Sequence, residues 1–276
     1  MVRRGTGQSF TSRAFVRCLA VLGGCTIADA QDLIRFHDGR LIDRPLVVAS
    51  VRDVDLDGVD DYVVAGSRSV NGSGVRTLYS GATGAIVWGP FREPVVQGTV
   101  TLSGRSLDVL GDIDGDGFDE LGMGLEGFGS IEGLVRIFSS LDGQELFRLA
   151  RPSVTDFGAR VGSAGDVNGD GFGDVLVTAG ANTVSVYAGP SGTFLYEVQG
   201  PSFFQRATDL GDVTGDGLDD FAVGWWESDR VWIHSGADGA VVHEILGDGA
   251  AGSGVATALG RDLRGPGDLN GDGIPD

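Results

Sequence analysis

Thiols are nearly missing from this chain of 276 residues: it has two cysteines, Cys18 and Cys25, both close to its start. Beyond that point there is no disulfide framework and no thiolate for a metal. Three histidines, His37, His234 and His243, are scattered and unpaired, which excludes a zinc site of the usual kind. Positive charge is also scarce. Arginine and lysine total 20 against 39 acids, a net charge of −19, so a phosphate backbone would be repelled and nucleic acid is excluded as a partner. Cations suit such a chain better. Proline is held to 8 residues, while glycine reaches 48, more than twice its usual share of ~7%. The glycines follow no three-residue period, which excludes collagen, and so many breakers argue against long helices. Hydrophobic residues make up 41% of the chain. That is enough for a real core and excludes general disorder.

The N-terminus reads as a targeting segment. Arg3, Arg4, Arg13 and Arg17 precede an apolar stretch from Cys18 to Ala28, and Ala28-Asp-Ala30 follows. A basic start, a short apolar centre and a small-x-small exit mark a secretory signal peptide over residues 1–30. The stretch is too short to span a bilayer as a helix. Leu22-Gly-Gly-Cys25 is the alternative, a lipoprotein-type box with a lipid anchor at Cys25. Either reading places the protein outside the cell, secreted or at the surface. Cleavage after Ala30 would remove four arginines, one aspartate and both thiols. An exported domain without disulfides then needs a large core or bound metal for its stability.

One nine-residue segment recurs five times. It reads Asp53-Val-Asp-Leu-Asp-Gly-Val-Asp-Asp61, Asp112-Ile-Asp-Gly-Asp-Gly-Phe-Asp-Glu120, Asp166-Val-Asn-Gly-Asp-Gly-Phe-Gly-Asp174, Asp212-Val-Thr-Gly-Asp-Gly-Leu-Asp-Asp220 and Asp268-Leu-Asn-Gly-Asp-Gly-Ile-Pro-Asp276. These segments hold 19 of the 31 aspartates, a concentration that acidic composition alone does not produce. Their flanks repeat as well. After each of the first four comes an apolar run (Tyr62–Ala65, Leu121–Gly124, Val175–Thr178, Phe221–Gly224), then a polar gap and an alternating run (Val75–Tyr79, Leu134–Phe138, Val184–Tyr187, Val231–His234). In three of these repeats a glycine turn leads to a last run: Ala85–Trp88, Phe194–Tyr196 and Val241–Leu246. Such runs between Gly, Asp, Asn and Ser clusters are strands in tight hairpins. With the segment before each acidic loop, every repeat supplies about four strands, the size of a propeller blade. The spacing predicts an all-β chain of four-stranded blades over residues 45–276, with about four complete blades and the start of a fifth. Leu33–Ile42, within the N-terminal segment 31–44, reads as a further hairpin.

Carboxylates at positions 1, 3 and 5 of a loop repel one another unless a cation holds them. Calcium takes six to eight hard oxygens, and glycine at position 6 permits the sharp turn around it. That glycine is present in every copy, as Gly58, Gly117, Gly171, Gly217 and Gly273. Position 7 is always apolar (Val59, Phe118, Phe172, Leu218, Ile274); its carbonyl is a candidate ligand, and its side chain is expected to point into the core. Position 9 adds a further carboxylate: Asp61, Glu120, Asp174, Asp220 and Asp276. Magnesium, with its strict octahedron, suits the pattern less. An EF-hand would need glutamate at position 12, where Val64, Met123, Val177 and Val223 stand as strand residues.

The stretch from Phe157-Gly158 through the third loop to Val177 resembles the FG-GAP repeat of integrin α-chain propellers and bacterial surface proteins. The resemblance implies a β-propeller with calcium loops at one face and ligand contacts at the other. It implies as ligands Asp53, Asp55, Asp57, Val59 and Asp61; Asp112, Asp114, Asp116, Phe118 and Glu120; Asp166, Asn168, Asp170, Phe172 and Asp174; Asp212, Thr214, Asp216, Leu218 and Asp220; and Asp268, Asn270, Asp272, Ile274 and Asp276. That is about one calcium ion per loop, up to five. Thr214 removes a charge from the fourth loop and should weaken it, and Glu120 is longer than the usual aspartate. Propellers of the integrin type have seven blades, so this chain is expected to be a fragment of a longer one.

The function expected from this reading is adhesion or recognition at the cell surface, without catalysis, toward an extracellular protein or glycan. The metal loops account for most of the acids, and no Gly-x-Ser-x-Gly elbow or ordered triad is present. A propeller-shaped hydrolase or lyase is the alternative, and a purely structural spacer is another. Asp108, Asp156 and Asp209 read as turn residues near the loops. The gaps at Gly66–Gly74, Gly124–Gly133, Gly180–Asn182 and Trp225–Arg230 lie at the end away from the loops and are the candidate recognition surface. Trp225-Trp226 with Glu227, Asp229 and Arg230 is the one aromatic-plus-polar cluster, with a tryptophan wedged between blades as the simpler reading.

Overall fold

Short runs of β-branched and aromatic residues between glycine- and aspartate-rich breaks pair as antiparallel strands. The computed structural model describes residues 47–67, 74–92, 106–125, 133–152, 154, 156–180, 182–201, 206–248, 259–265, 270–271 and 275. The first sheet joins β1 (Val47–Val51), β2 (Asp61–Ser67), β3 (Gly74–Tyr79) and β4 (Ile86–Arg92). In the second are β5 (Ser106–Val109), β6 (Glu120–Leu125), β7 (Leu134–Ser139) and β8 (Glu145–Ala150). The third holds β9 (Val161–Gly165), β10 (Asp174–Thr178), β11 (Thr183–Tyr187) and β12 (Phe194–Gln199). The fourth holds β13 (Arg206–Gly211), β14 (Asp220–Trp225), β15 (Arg230–His234) and β16 (Val241–Leu246). Each sheet is an antiparallel meander in sequence order. The four repeats are four blades.

Apolar packing shows how the blades are arranged. Val51, Val63 and Leu78 of the first blade bury against Leu121, Met123 and Phe138 of the second. Ile113, Val135 and Ile137 of the second pack on Phe157, Val175 and Val177 of the third. Leu176, Val184 and Val186 of the third meet Phe221, Val223 and Trp225 of the fourth. Three cores among the described residues thus lie between consecutive blades, since a single four-stranded sheet cannot cover its own faces; a smaller cluster of Tyr62, Val64 and Tyr79 lies on the first blade alone. The first strands β1, β5, β9 and β13 lie against one another in succession, as the inner strands of a β-propeller do.

The strand expectations from the sequence fall inside these elements except for Ala85, which precedes β4, and most of the residues expected to start a fifth blade lie outside the described ones. Residues 1–46, and with them the signal segment and the hairpin at Leu33–Ile42, lie outside the described residues. Among the described residues no helix is long and apolar enough to cross a membrane.

Candidate metal centres in the acidic loops

Each of the first four acidic segments joins the first strand of a blade to the second. Position 1 organises the turn by gathering backbone N–H groups from the rest of the loop. Asp53 accepts from Asp57 at 2.9 Å and from Gly58 at 2.6 Å. Asp112 accepts from Gly115 and Gly117, Asp166 from Gly169 and Gly171, and Asp212 from Gly215 and Gly217, at 2.6–3.0 Å. Position 5 repeats the device one step on: Asp57, Asp116, Asp170 and Asp216 each accept the N–H of position 7 at 2.8–3.1 Å. Gly58, Gly117, Gly171 and Gly217 at position 6 sit at φ between 89° and 92°, a left-handed conformation that disfavours a side chain. The chain is wound so that its carboxylates converge.

How closely they converge differs between loops. One carboxylate oxygen each from Asp53, Asp55 and Asp57 lie within 4.8 Å of one another, about twice a calcium–oxygen distance of ~2.4 Å. In the second loop the trio is Asp112, Asp114 and Glu120. The third loop carries Asp166, Asn168 and Asp170, and the fourth Asp212, Thr214 and Asp216, at the corresponding places. Of the fifth loop, Asn270, Gly271 and Pro275 are described; Asp268, Asp272, Ile274 and Asp276 lie outside the described residues.

Position 9 is the first residue of the second strand and is buried in all four blades: Asp61, Glu120, Asp174 and Asp220 are at most 1% exposed. Burial pushes the Asp61 carboxyl up, Glu120 up to about 8 and Asp174 up to about 7, against the backbone N–H bonds that pull each of them down. The N–H of position 2 donates to each at 2.7–3.0 Å.

Position 7 corrects an expectation. Its side chains do not all fill the blade core: Val59 is 46% exposed, and Phe172 and Leu218 are half-buried outside the inter-blade clusters, whereas Phe118, also half-buried, packs against the core between the first two blades as expected. Phe172 and Leu218 instead cover the position 4 glycines of the preceding loops, where a Cβ on Gly115 or Gly169 would stand 2.8 or 2.9 Å away. The inward role belongs to position 2, with Val54, Ile113 and Val167 buried in the inter-blade cores.

Position 8 was not singled out in the sequence, yet it links neighbouring loops. Asp219 Oδ2 accepts the N–H of Asp166 at 2.8 Å, and the Asp219 N–H donates back to the Asp166 carbonyl at 3.1 Å. Asp119 holds Arg52, accepting its N–H at 2.9 Å and pairing with its Nε at 2.9 Å. Aspartate at three of five copies of this position was the available signal.

The other acids and aromatics have definite partners. Asp108 on β5 pairs with Arg206 on β13 at 3.1 Å, reaching past the third blade where Gly162 has no side chain. Asp156 sits in a turn at φ 62°, and Asp209 lies within β13, not in a turn. His234 is buried, stacked on Phe221 with centroids 5.2 Å apart, and its Nδ1 is 2.8 Å from the Gly239 carbonyl. Trp225 is fully buried between blades against Gly200 and Trp232, as the simpler reading expected. Asp229 accepts the Leu259 N–H at 2.7 Å, and Arg230 pairs with Glu244. Trp226, half-buried, and Glu227, exposed, are left at the surface of that turn. Residues 68–73, 126–132 and 181, within the other three candidate recognition gaps, lie outside the described residues.

Residues 166–223 match the family model of the FG-GAP-like repeat, from the first aspartate of the third loop to β14. No curated protein matches the chain. Among similar solved structures is one of BBS1N in complex with ARL6DN, soaked with mercury, at 13% identity and a TM-score of 0.46; the alignment covers 74% of this chain and 51% of that one. A protein of unknown function from Bacteroides caccae is similar at 12% identity and a TM-score of 0.46, covering 73% and 60%. The chain thus spans about half of the first of these and three-fifths of the second.

Proposed function

We propose that this FG-GAP-like repeat propeller is a calcium-stabilised recognition module working outside the cell, without catalysis. The observation that carries the calcium reading is the convergence of Asp53, Asp55 and Asp57, with three oxygens inside 4.8 Å in a chain of net charge −19. Three carboxylates so close repel one another, and a divalent cation turns that cost into a stabilising contact. The residues present fit such an ion. Asp53, Asp55 and Asp57, with the carbonyl of Val59, would hold it in the first loop. Asp112, Asp114, Asp116 and Glu120 with Phe118, Asp166, Asn168 and Asp170 with Phe172, and Asp212, Thr214 and Asp216 with Leu218 would do so in the next three. The ion supplies charge neutralisation and a fixed loop shape. The chain's own part is to pre-wind each loop through its N–H bonds, so that little ordering remains on binding.

Support for recognition comes from the division of the fold. The acidic loops occupy one end of the blades, and the connections between second and third strands leave from the other, where Trp226 and Glu227 reach the surface. An extracellular protein or glycan is the ligand class this surface would take. The signal segment over residues 1–30 supports export.

Calorimetric titration of the chain with calcium tests the metal reading. Expected are about one ion per complete loop and a melting temperature that rises with calcium and falls in chelator. At a free concentration of 100 times Kd the gain is about 2.7 kcal/mol per site. A folded chain that takes up no calcium would overturn the proposal. The recognition reading is then tested by screening the loaded chain against glycans and extracellular proteins, with turnover of polysaccharide or ester substrates as the contrary result.

A further inference from the structure

Two consecutive residues of the third loop reach back to the second. Phe172 at position 7 lies over Gly115, so close that a Cβ there would stand 2.8 Å from its ring. Gly173 at position 8 donates its N–H to the carbonyl of Asp112 at 3.1 Å. The fourth loop grips the third at the same places and more firmly. Leu218 lies over Gly169, 2.9 Å from a Cβ built on it. Asp219 donates its N–H to the Asp166 carbonyl at 3.1 Å and accepts the Asp166 N–H at 2.8 Å. Its carboxyl fills the space over Gly165, where a Cβ would stand 2.4 Å away.

The seam between the first two loops is built differently. Arg52 stands where Gly111, Gly165 and Gly211 precede the next three loops. Asp119 holds its N–H and its Nε, each at 2.9 Å, one residue outside the first loop. Phe118 at position 7 packs on the core between the first two blades, and Leu56 at position 4 of the first loop is 76% exposed. Position 4 is thus open to solvent in the first loop, whereas Gly115 and Gly169 are each met by a side chain of the following loop.

Building on the calcium reading above, we infer that Phe172, Leu218 and Asp219 are positioning residues for the cation of the preceding loop, so that loops two, three and four fill as a coupled set while loop one fills by itself. Each of these residues belongs to two loops at once. The Phe172 N–H is held by Asp170 at 3.1 Å and its carbonyl is among the ligands proposed for the third loop, while its ring bears on the residue between Asp114 and Asp116. Asp219 sits between Leu218 and Asp220 of its own loop and holds Asp166, the residue that gathers the third loop's turn. Ordering one of these loops around an ion therefore removes freedom from the next, which then has less ordering left to do when its own ion arrives. By linkage the effect is the same in both directions.

Hydrogen exchange of the whole chain along a calcium titration, read by mass spectrometry on peptides spanning each loop, gives every loop its own midpoint. Loops two to four should gain protection together and cooperatively, and loop one without cooperativity. Asp216→Asn, which weakens the fourth loop's own site, should raise the midpoint of loop three about fivefold, raise that of loop two by less, and leave loop one unmoved. Phe172→Ala should raise the loop two midpoint about fivefold and make it indifferent to a further Asp216→Asn. Phe172→Leu should restore both behaviours, because leucine holds this position at the next seam. Lost packing alone would lower the melting temperature in chelator without removing the dependence of loop two on loop four. A loop two midpoint unchanged in Phe172→Ala, or a shift of loop one equal to that of loop three in Asp216→Asn, would overturn the inference while leaving calcium binding intact. No calcium uptake by the unaltered chain would instead overturn the calcium reading on which it rests.

Discussion

A buried carboxylate one residue inside a strand is the chemical centre of each blade, and its protonation ties stability to pH. In cation-free protein the Glu120 carboxyl is pushed up to about 8 and Asp174 to about 7 by burial, with Asp61 raised for the same reason; unfolded carboxyls titrate near ~4. Because the folded values are raised, the folded state binds more protons than the unfolded one across this window. The contribution is complete below the unfolded value and is lost as pH rises through the folded one. Melting temperature in chelator should therefore fall between about pH 5 and pH 8, and Glu120→Gln, which cannot ionise, should flatten the fall. Saturating calcium should reverse the trend by holding the ionised form. Protons should be released on binding at pH 7, which calorimetry in buffers of different ionisation enthalpy would detect.

The loops were legible in the sequence because their chemistry is periodic, and the strands because apolar residues alternate between glycine-rich breaks. What escaped depended on handedness and on distant partners. Val59 is exposed and Phe172 lies over Gly115 of the preceding loop, while Phe118 packs on a core, a difference that the identity of position 7 alone does not reveal. The length of Glu120 was visible, but not that its Oε1 lacks a donor while the N–H of Ser140, in a different hairpin turn, goes to the Asp119 carbonyl. The first loop departs in another way. Position 4 is glycine at Gly115, Gly169 and Gly215, with φ of 73–82°, but is Leu56 in loop one, at φ 60° and 76% exposed. An L-residue in this region costs about 1–2 kcal/mol, against roughly 0.5–1 kcal/mol of chain entropy that glycine loses on folding. Leu56→Gly should thus stabilise the protein by about 0.5–1 kcal/mol, read from denaturant midpoints at constant m-value. A decrease would mean that Leu56 makes a contact worth more than its strain.

Across the whole molecule, the blades are joined by apolar faces and by arginine. All 20 basic residues are arginine, and several bridge blades. Arg76 lies over the Phe138 ring at 3.6 Å and donates to the Gly143 carbonyl at 3.0 Å. Arg151 pairs with Glu197 at 2.6 Å. Arg206 reaches two blades back to Asp108, whose carboxyl burial raises and the arginine lowers. Removing one partner of a buried pair costs about 3–5 kcal/mol. With side chains 23% and 17% exposed and Arg264 at 4.0 Å from Asp108, solvent and a second cation reduce this. Arg206→Met should lower stability by about 1–2 kcal/mol, and adding Asp108→Asn should restore part of it. An additive double variant in denaturant unfolding would show that the pair contributes nothing of its own.

The placement of the three large apolar cores between blades also sets the unit in which such a protein changes over generations. Duplicating one repeat adds one sheet and, with it, one interface of the same kind as its neighbours, so no existing core has to be redesigned. Point changes, by contrast, face two blades at once: Phe138 belongs to the second blade but packs on the first, and Phe157 of the third packs on the second. Such a lineage can lengthen by whole repeats more readily than it can alter single residues at the seams, and its variety is expected to gather in the connections outside the cores.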